Sequence, residues 1–149
     1  MDYLKELETI QTWIMKTAGV PSYRLSIAKP KLARPVILWE TPSRVKASNL
    51  DMYVYTQKVR QYGKLFMNNL DETLDVQEKL AKSVEELNNT LHIIDGVNVI
   101  GALKNVRIEF NDSESLDVPF SVVYEVTYSK LRPQEAPSAA TVGTRIQAN

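Results

Sequence analysis

The stretch DMYVYTQKVRQYGKLFMNN, from Asp51 to Asn69, contains no proline and one glycine. Its Tyr, Val, Thr and Phe residues suit a pleated strand. As one strand rising about 3.3 Å per residue, it would span roughly 60 Å. A compact domain of this length has a radius of gyration of only about 15 Å. The fold must therefore accommodate strand sequence longer than its own body. Tyr53, Tyr55 and Val59 fall on one face, while Lys58, Arg60 and Tyr62 fall on the other. Past Gly63 the apolar residues Leu65, Phe66 and Met67 are consecutive, so Gly63 reads as a bulge or a bend where the strand changes direction.

Residues 2–18 read as an amphipathic helix, with Tyr3, Leu7, Ile10 and Ile14 on one stripe, and Gly19 and Pro21 stop it. Val20 to Arg34 reads as loop or irregular strand, and PVILWE (35–40) as a short strand buried on both faces. TPSRVKASNL (41–50) reads as polar turn. A second helix starts at the N-cap Asn69, with Glu72 at capping-box spacing. Its apolar stripe is Val76, Leu80, Val84, Leu87 and Leu91, and Gly96 lies just beyond its end. VNVIGALKNVRIEF, with a break at Gly101, and DVPFSVVYEVTYSKL read as two strands around the polar turn NDSES, an antiparallel hairpin. Phe120, Val122, Tyr124, Val126 and Tyr128 share one face of the second strand. Single helices alternating with blocks of strands make the fold class α+β. The sheet is mixed or antiparallel, with two main helices packed on it, one long protruding strand or hairpin, and an extended C-terminal tail.

Catalytic and metal signatures are sparse. Cysteine is absent, which removes disulfides, thiolate zinc sites and cysteine nucleophiles. His92 is the only histidine. It reads as a structural residue at the end of the second helix, beside Ile93 and Ile94. No nucleophile elbow, Gly-rich dinucleotide loop or phosphate loop occurs. Asp112, Glu114 and Asp117 cluster in the hairpin turn but match no calcium-loop spacing. The charges of the second helix, Glu78 with Lys82 and Lys82 with Glu86, read as a solvated face. The reading is accordingly of a protein that is not an enzyme and carries no cofactor or metal. No apolar run is long enough for a membrane span, and the N-terminus lacks a signal peptide's apolar stretch.

Lys58, Arg60 and Lys64 interleave with Tyr55, Tyr62 and Phe66. Such a strand can serve as a nucleic-acid platform or as an edge kept soluble by charge. Eighteen basic residues balance eighteen acidic ones, and a dedicated nucleic-acid binder usually has a basic excess.

The order of elements resembles a known family. An amphipathic helix precedes RPVILWE; the long DMYVYTQKVRQYGKLFMNN then passes directly into LDETLDVQEKLAKSVEEL. A closing hairpin, NVRIEF to VPFSVVYEVTY, ends in KLRP. This layout, over residues 1–132, resembles the tail terminator or tail completion proteins of long-tailed bacteriophages and phage-tail-like particles. The resemblance implies a single α+β domain in 1–132 that forms a hexameric ring at the head-proximal end of the tail tube. The ring would stop tube growth and join the tail to the head or neck. Its partners would be other copies of itself, the tube protein and a head-side connector or neck protein, with passive contact to DNA passing through the lumen. The implied location is the virion tail or neck, assembled in the host cytoplasm. Other neck, head-completion or tube components share this texture, and a small single-strand nucleic-acid module is the alternative of another class.

On this reading Lys58, Arg60, Lys64, Tyr55 and Tyr62 lie at a subunit interface or the ring's lumen. A strand longer than its domain can lie on a neighbouring subunit. Residues 133–149 hold Pro133, Pro137 and Gly143, with Val142 and Ile146 the only large apolar side chains. They read as an arm laid over a neighbour, with contacts from Val142, Arg145 and Ile146.

Overall fold

The computed structural model describes residues 3–24, 33–49, 54–111 and 116–129. The architecture is α+β, two helices with a mixed seven-stranded sheet. Helix α1 (Tyr3–Ala18) buries Leu7, Ile10, Trp13 and Ile14 together with one charged residue, Glu6. It ends where Gly19 takes the left-handed conformation (φ 71°) and its N–H bonds to Met15 O at 3.0 Å. That backbone shape costs a glycine least.

Strand β1 (Ser22–Arg24) pairs parallel with β2 (Val36–Trp39). The four residues of β2 are the short apolar strand read from PVILWE, and Val36, Ile37 and Trp39 are buried. β2 pairs antiparallel with β4 (Val54–Phe66). The segment read as polar turn is instead largely β3 (Ser43–Asn49), which pairs with β4. Its backbone is satisfied by the neighbouring strand while Val45 is 61% exposed, so its sequence lacks the apolar alternation that marks a half-buried strand.

Helix α2 (Leu70–Glu86) starts as its sequence indicates. Asn69 Oδ1 accepts from Glu72 N at 2.8 Å, and Thr73 Oγ1 donates to Asn69 O at 2.8 Å. Thr73, Val76, Leu80 and Val84 are buried. The stripe stops there. Leu87 is the C-cap and 44% exposed, and Leu91 opens β5 (Leu91–Asp95). Asn88 and Asn89, both left-handed at φ 55° and 57°, break the helical period before Leu87 and Leu91 can continue it. Gly96 (φ 66°) therefore lies in the turn of a hairpin between β5 and β6 (Asn98–Phe110), not at a helix end.

β6 carries two irregularities. One faces Ile93 and Ile94, whose partners are Gly101 and Val99, so that Ile100 is the extra residue; the break read at Gly101 lies one position away. The other lies between Lys104 and Arg107, opposite Glu125 and Val123 of β7 (Asp117–Ser129). Asn105 is left-handed there (φ 52°). The freed Val106 backbone bonds to the helix corner, its N–H to Asn89 O at 2.9 Å and its carbonyl to Asn89 Nδ2 at 3.0 Å. A bulge thus turns an unpaired backbone into a clamp on the end of α2. β6 and β7 form the antiparallel hairpin read from sequence.

The strand order is β1-β2-β4-β7-β6-β5, with β3 on β4. The chain divides into two compact units, Met1–Val45 with Lys58–Val126, and Lys46–Gln57 with Thr127–Asn149. β3, β4 and β7 each contribute residues to both units. In that first unit, Trp13 Nε1 donates to Ser83 Oγ at 2.9 Å, tying α1 to α2. α1 contacts β5 and α2 contacts β6, so both helices cover one face of the sheet. Ile37, Trp39, Leu65, Ile93, Leu103, Val122 and Tyr124 are fully or almost fully buried. In the second unit, Tyr55 stacks on Tyr128 with centroids 5.8 Å apart, and the Thr56 and Thr127 hydroxyls lie 3.2 Å apart.

Candidate functional site

Period-two geometry puts Lys58, Arg60, Tyr62 and Lys64 of β4 on one side of the strand. The intervening residues Val59, Gln61, Gly63 and Leu65 are buried on the other. Arg60 Nη1 reaches Ser121 Oγ on β7 at 2.9 Å and Glu109 Oε1 on β6 at 2.8 Å. Glu109 pairs directly with Ser121, Arg107 with Val123, and Lys104 with Glu125. These contacts assemble three strands into one face, opposite the helices. Among the described residues these three strands carry five basic side chains on it, Lys58, Arg60, Lys64, Lys104 and Arg107, against three carboxylates, Glu109, Asp117 and Glu125. Tyr62 stands among them 40% exposed. The Arg60 hydrogen bond holds the Glu109 carboxyl below its ordinary range, keeping it ionised as the counter-charge within the patch.

Lys58 and Lys64 are exposed, as a surface role needs. Arg60 is only partly so. Its ion pair and its bond to Ser121 are internal to the sheet, so it also organises the face. Tyr55 lies on the other side of β4 by the same two-residue alternation, stacked on Tyr128. Val142, Arg145 and Ile146 lie outside the described residues, as do Asp112 and Glu114. Asp117 is paired with Arg34 at 2.8 Å. Lys104, Arg107, Glu109 and Glu125 were not singled out from sequence. The charges of LKNVRIEF follow a two-residue alternation only after the bulge at Asn105 is allowed for, and no residue type announces that bulge.

A second polar group lies inside the fold. Glu6 is completely buried. Arg44 holds it with Nη1 on Oε1 at 2.9 Å and Nη2 on Oε2 at 3.1 Å, and Tyr124 donates to Oε1 at 2.8 Å. The Glu6 hydrogen bond raises the Arg44 guanidinium above its ordinary value. Burial, reinforced by the Glu6 charge, pushes the Tyr124 hydroxyl far up. Both carboxylate oxygens are engaged and none reaches solvent, so this cluster joins α1, β3 and β7 and offers no surface to a substrate. Its sequence signal was a charged residue on the α1 stripe, four before Ile10 and seven before Trp13.

A cavity of about 510 Å³ opens between α1 and β5, lined by Glu8, Thr12, Trp13, Lys16, His92 and Ile94 among others. His92 is not at a helix end; it is an exposed residue of β5 opposite Ala102. Beside it the β5–β6 hairpin exposes Ile94 (54%), Val97 (95%), Val99 (61%) and Ile100 (45%). Among the described residues no group of three or more His, Cys, Asp or Glu side chains is placed to hold a metal ion. No helix among them is long and apolar enough to cross a membrane.

No protein-family model matches this sequence, and no curated protein matches it.

Proposed function

We propose that this chain is a structural subunit of the tail-terminator type, acting as a ring at the head-proximal end of a phage tail tube. It would stop tube growth and join the tail to the neck by contact alone, without catalysis. The observation that carries the reading is the division of β4. Residues 58–66 belong to the unit with the core, while 54–57 belong to a second unit built from the ends of β3 and β7. Strands that continue beyond the core they serve are suited to lie against a neighbouring subunit, where added length meets protein instead of water. Two surface features support the same reading. The apolar tip of the β5–β6 hairpin is the kind of exposed patch that marks a contact site, and the sheet face opposite the helices carries an excess of basic over acidic side chains. Lys58, Arg60, Tyr62 and Lys64 then lie at a subunit interface or toward the lumen.

Polymerisation of the cognate tube protein tests this. With the chain present, tubes should be capped at one end and stop elongating. A tube-length distribution unchanged over a range of added protein would reject the reading. A second reading has one observation in its favour, since a basic face with an exposed tyrosine suits single-strand nucleic acid. It requires salt-sensitive binding of a single-stranded oligonucleotide, lost on Tyr62→Ala and Lys64→Glu.

A further inference from the structure

The basic sheet face has a counterpart on the same unit. The solvent side of α2 carries six exposed carboxylates between Asp71 and Glu86 against two lysines, Lys79 and Lys82. Opposite the buried row Thr73, Val76, Leu80 and Val84, the helical period brings Asp71, Asp75, Glu78 and Glu85 to the crest together with Lys82, and Asp75 is paired with Lys79 at 3.0 Å. A surface groove of about 460 Å³ runs there, lined by Asp71, Leu74, Asp75 and Glu78, with Leu74 55% exposed. Among the described residues, α2 thus carries an acidic excess and the sheet face a basic one.

We infer that the basic face of the sheet, through the exposed Lys58, Tyr62 and Lys64, is a docking surface for α2 of a second copy of this chain. Lys58 and Lys64 would meet the acidic crest, and Tyr62 would enter the groove beside Leu74. Charge complementarity selects this occupant. The face carries a basic excess around the exposed ring of Tyr62, and α2 offers an acidic excess around Leu74, one of its two exposed leucines with Leu70. The helices cover one side of the sheet and the docking face is the other, so two copies cannot satisfy both surfaces in a single symmetric pair. The contact is head-to-tail and propagates until it closes. The inference deepens the ring reading and rests on it for closure, while the pairwise contact is measurable by itself.

Sedimentation velocity of the full chain over a concentration series, at low and high salt, tests the contact. Wild-type association should weaken as salt rises. The doubly substituted sheet-face variant Lys58→Glu/Lys64→Glu should associate at least about tenfold more weakly, and so should the α2 variant Glu78→Lys/Glu85→Lys. Mixed in equal amounts, the two variants should recover association, because each presents the surface the other has lost. Circular dichroism melts of each variant establish that it is folded. Failure of the folded variants to recover on mixing would overturn the proposal, as would wild-type association by either variant alone. If the sheet-face variant lost single-stranded oligonucleotide binding while self-associating normally, the face would belong to nucleic acid and the proposal would fall. Unchanged association under charge reversal removes this contact but leaves the ring reading standing. Absence of any wild-type association, alone or on tubes, removes both.

Discussion

Gly63 of β4 lies directly opposite Trp39 of β2, so close that a Cβ on it would sit 2.8 Å from Trp39 Cε3 and 3.2 Å from Phe120 Cε1. The indole is 1% exposed and meets Phe120 edge-on, with ring centroids 5.3 Å apart. It has no room to retreat. The glycine is there for close approach, and β4 runs through it without a bend to Phe66.

Gly63→Ala should therefore destabilise the protein by about 1–3 kcal/mol, the usual cost of overpacking. Chemical denaturation would measure it. A gain in stability, as a freely tolerated Gly→Ala change gives, would mean that the indole is not fixed.

α2 offers a paired test of its boundary. Leu80 is 0% exposed and Leu87 is 44% exposed. Leu80→Ala should cost about 2–5 kcal/mol, whereas Leu87→Ala should stay within about 0.5 kcal/mol. Equal losses in the two variants would show that the helical stripe continues past Glu86.

The Glu6 cluster predicts the response to alkali. The Tyr124 hydroxyl has an ordinary pKa of 10.0 and is raised in the fold, first by burial and then by the Glu6 charge. Above about pH 10 the unfolded chain releases that proton while the native state keeps it, so stability falls as pH rises. Tyr3, also raised by burial, adds to the slope. Tyr124→Phe should cost about 1.5–3 kcal/mol near neutrality, for one hydrogen bond to a charged group. It should also flatten the alkaline decline without abolishing it. An identical slope in both proteins would assign the decline elsewhere. Arg44→Met, which leaves Glu6 buried without its cation, should cost more, about 3–5 kcal/mol.

Much of this fold was legible because local signals and burial agreed. The α1 stripe, the Asn69 cap with Glu72, the apolar PVILWE strand and the closing hairpin all follow from spacing. Errors arose where backbone geometry overrode pattern. Leu87 and Leu91 keep helical spacing, yet two left-handed asparagines stand between them, and asparagine tolerates that conformation without requiring it. β3 was missed because pairing with β4, not apolar burial, supports it. The sheet face was half legible. Lys58, Arg60 and Lys64 declared themselves by alternation on one strand, but their neighbours Lys104, Arg107 and Glu109 depend on a register set by the bulge at Asn105. Sequence alone could not show that Arg60 is spent on Glu109 and Ser121, since that needs three strands in place.

On the proposed function this protein closes a ring at one end of a tail tube, and electron microscopy of tailed particles carrying the labelled chain would show it. The label should lie in a single layer at the head-proximal end, resolving into one closed ring of equivalent subunits in head-to-tail contact. Label spread along the tube, or particles that assemble with normal tail length and contain none of this chain, would contradict it.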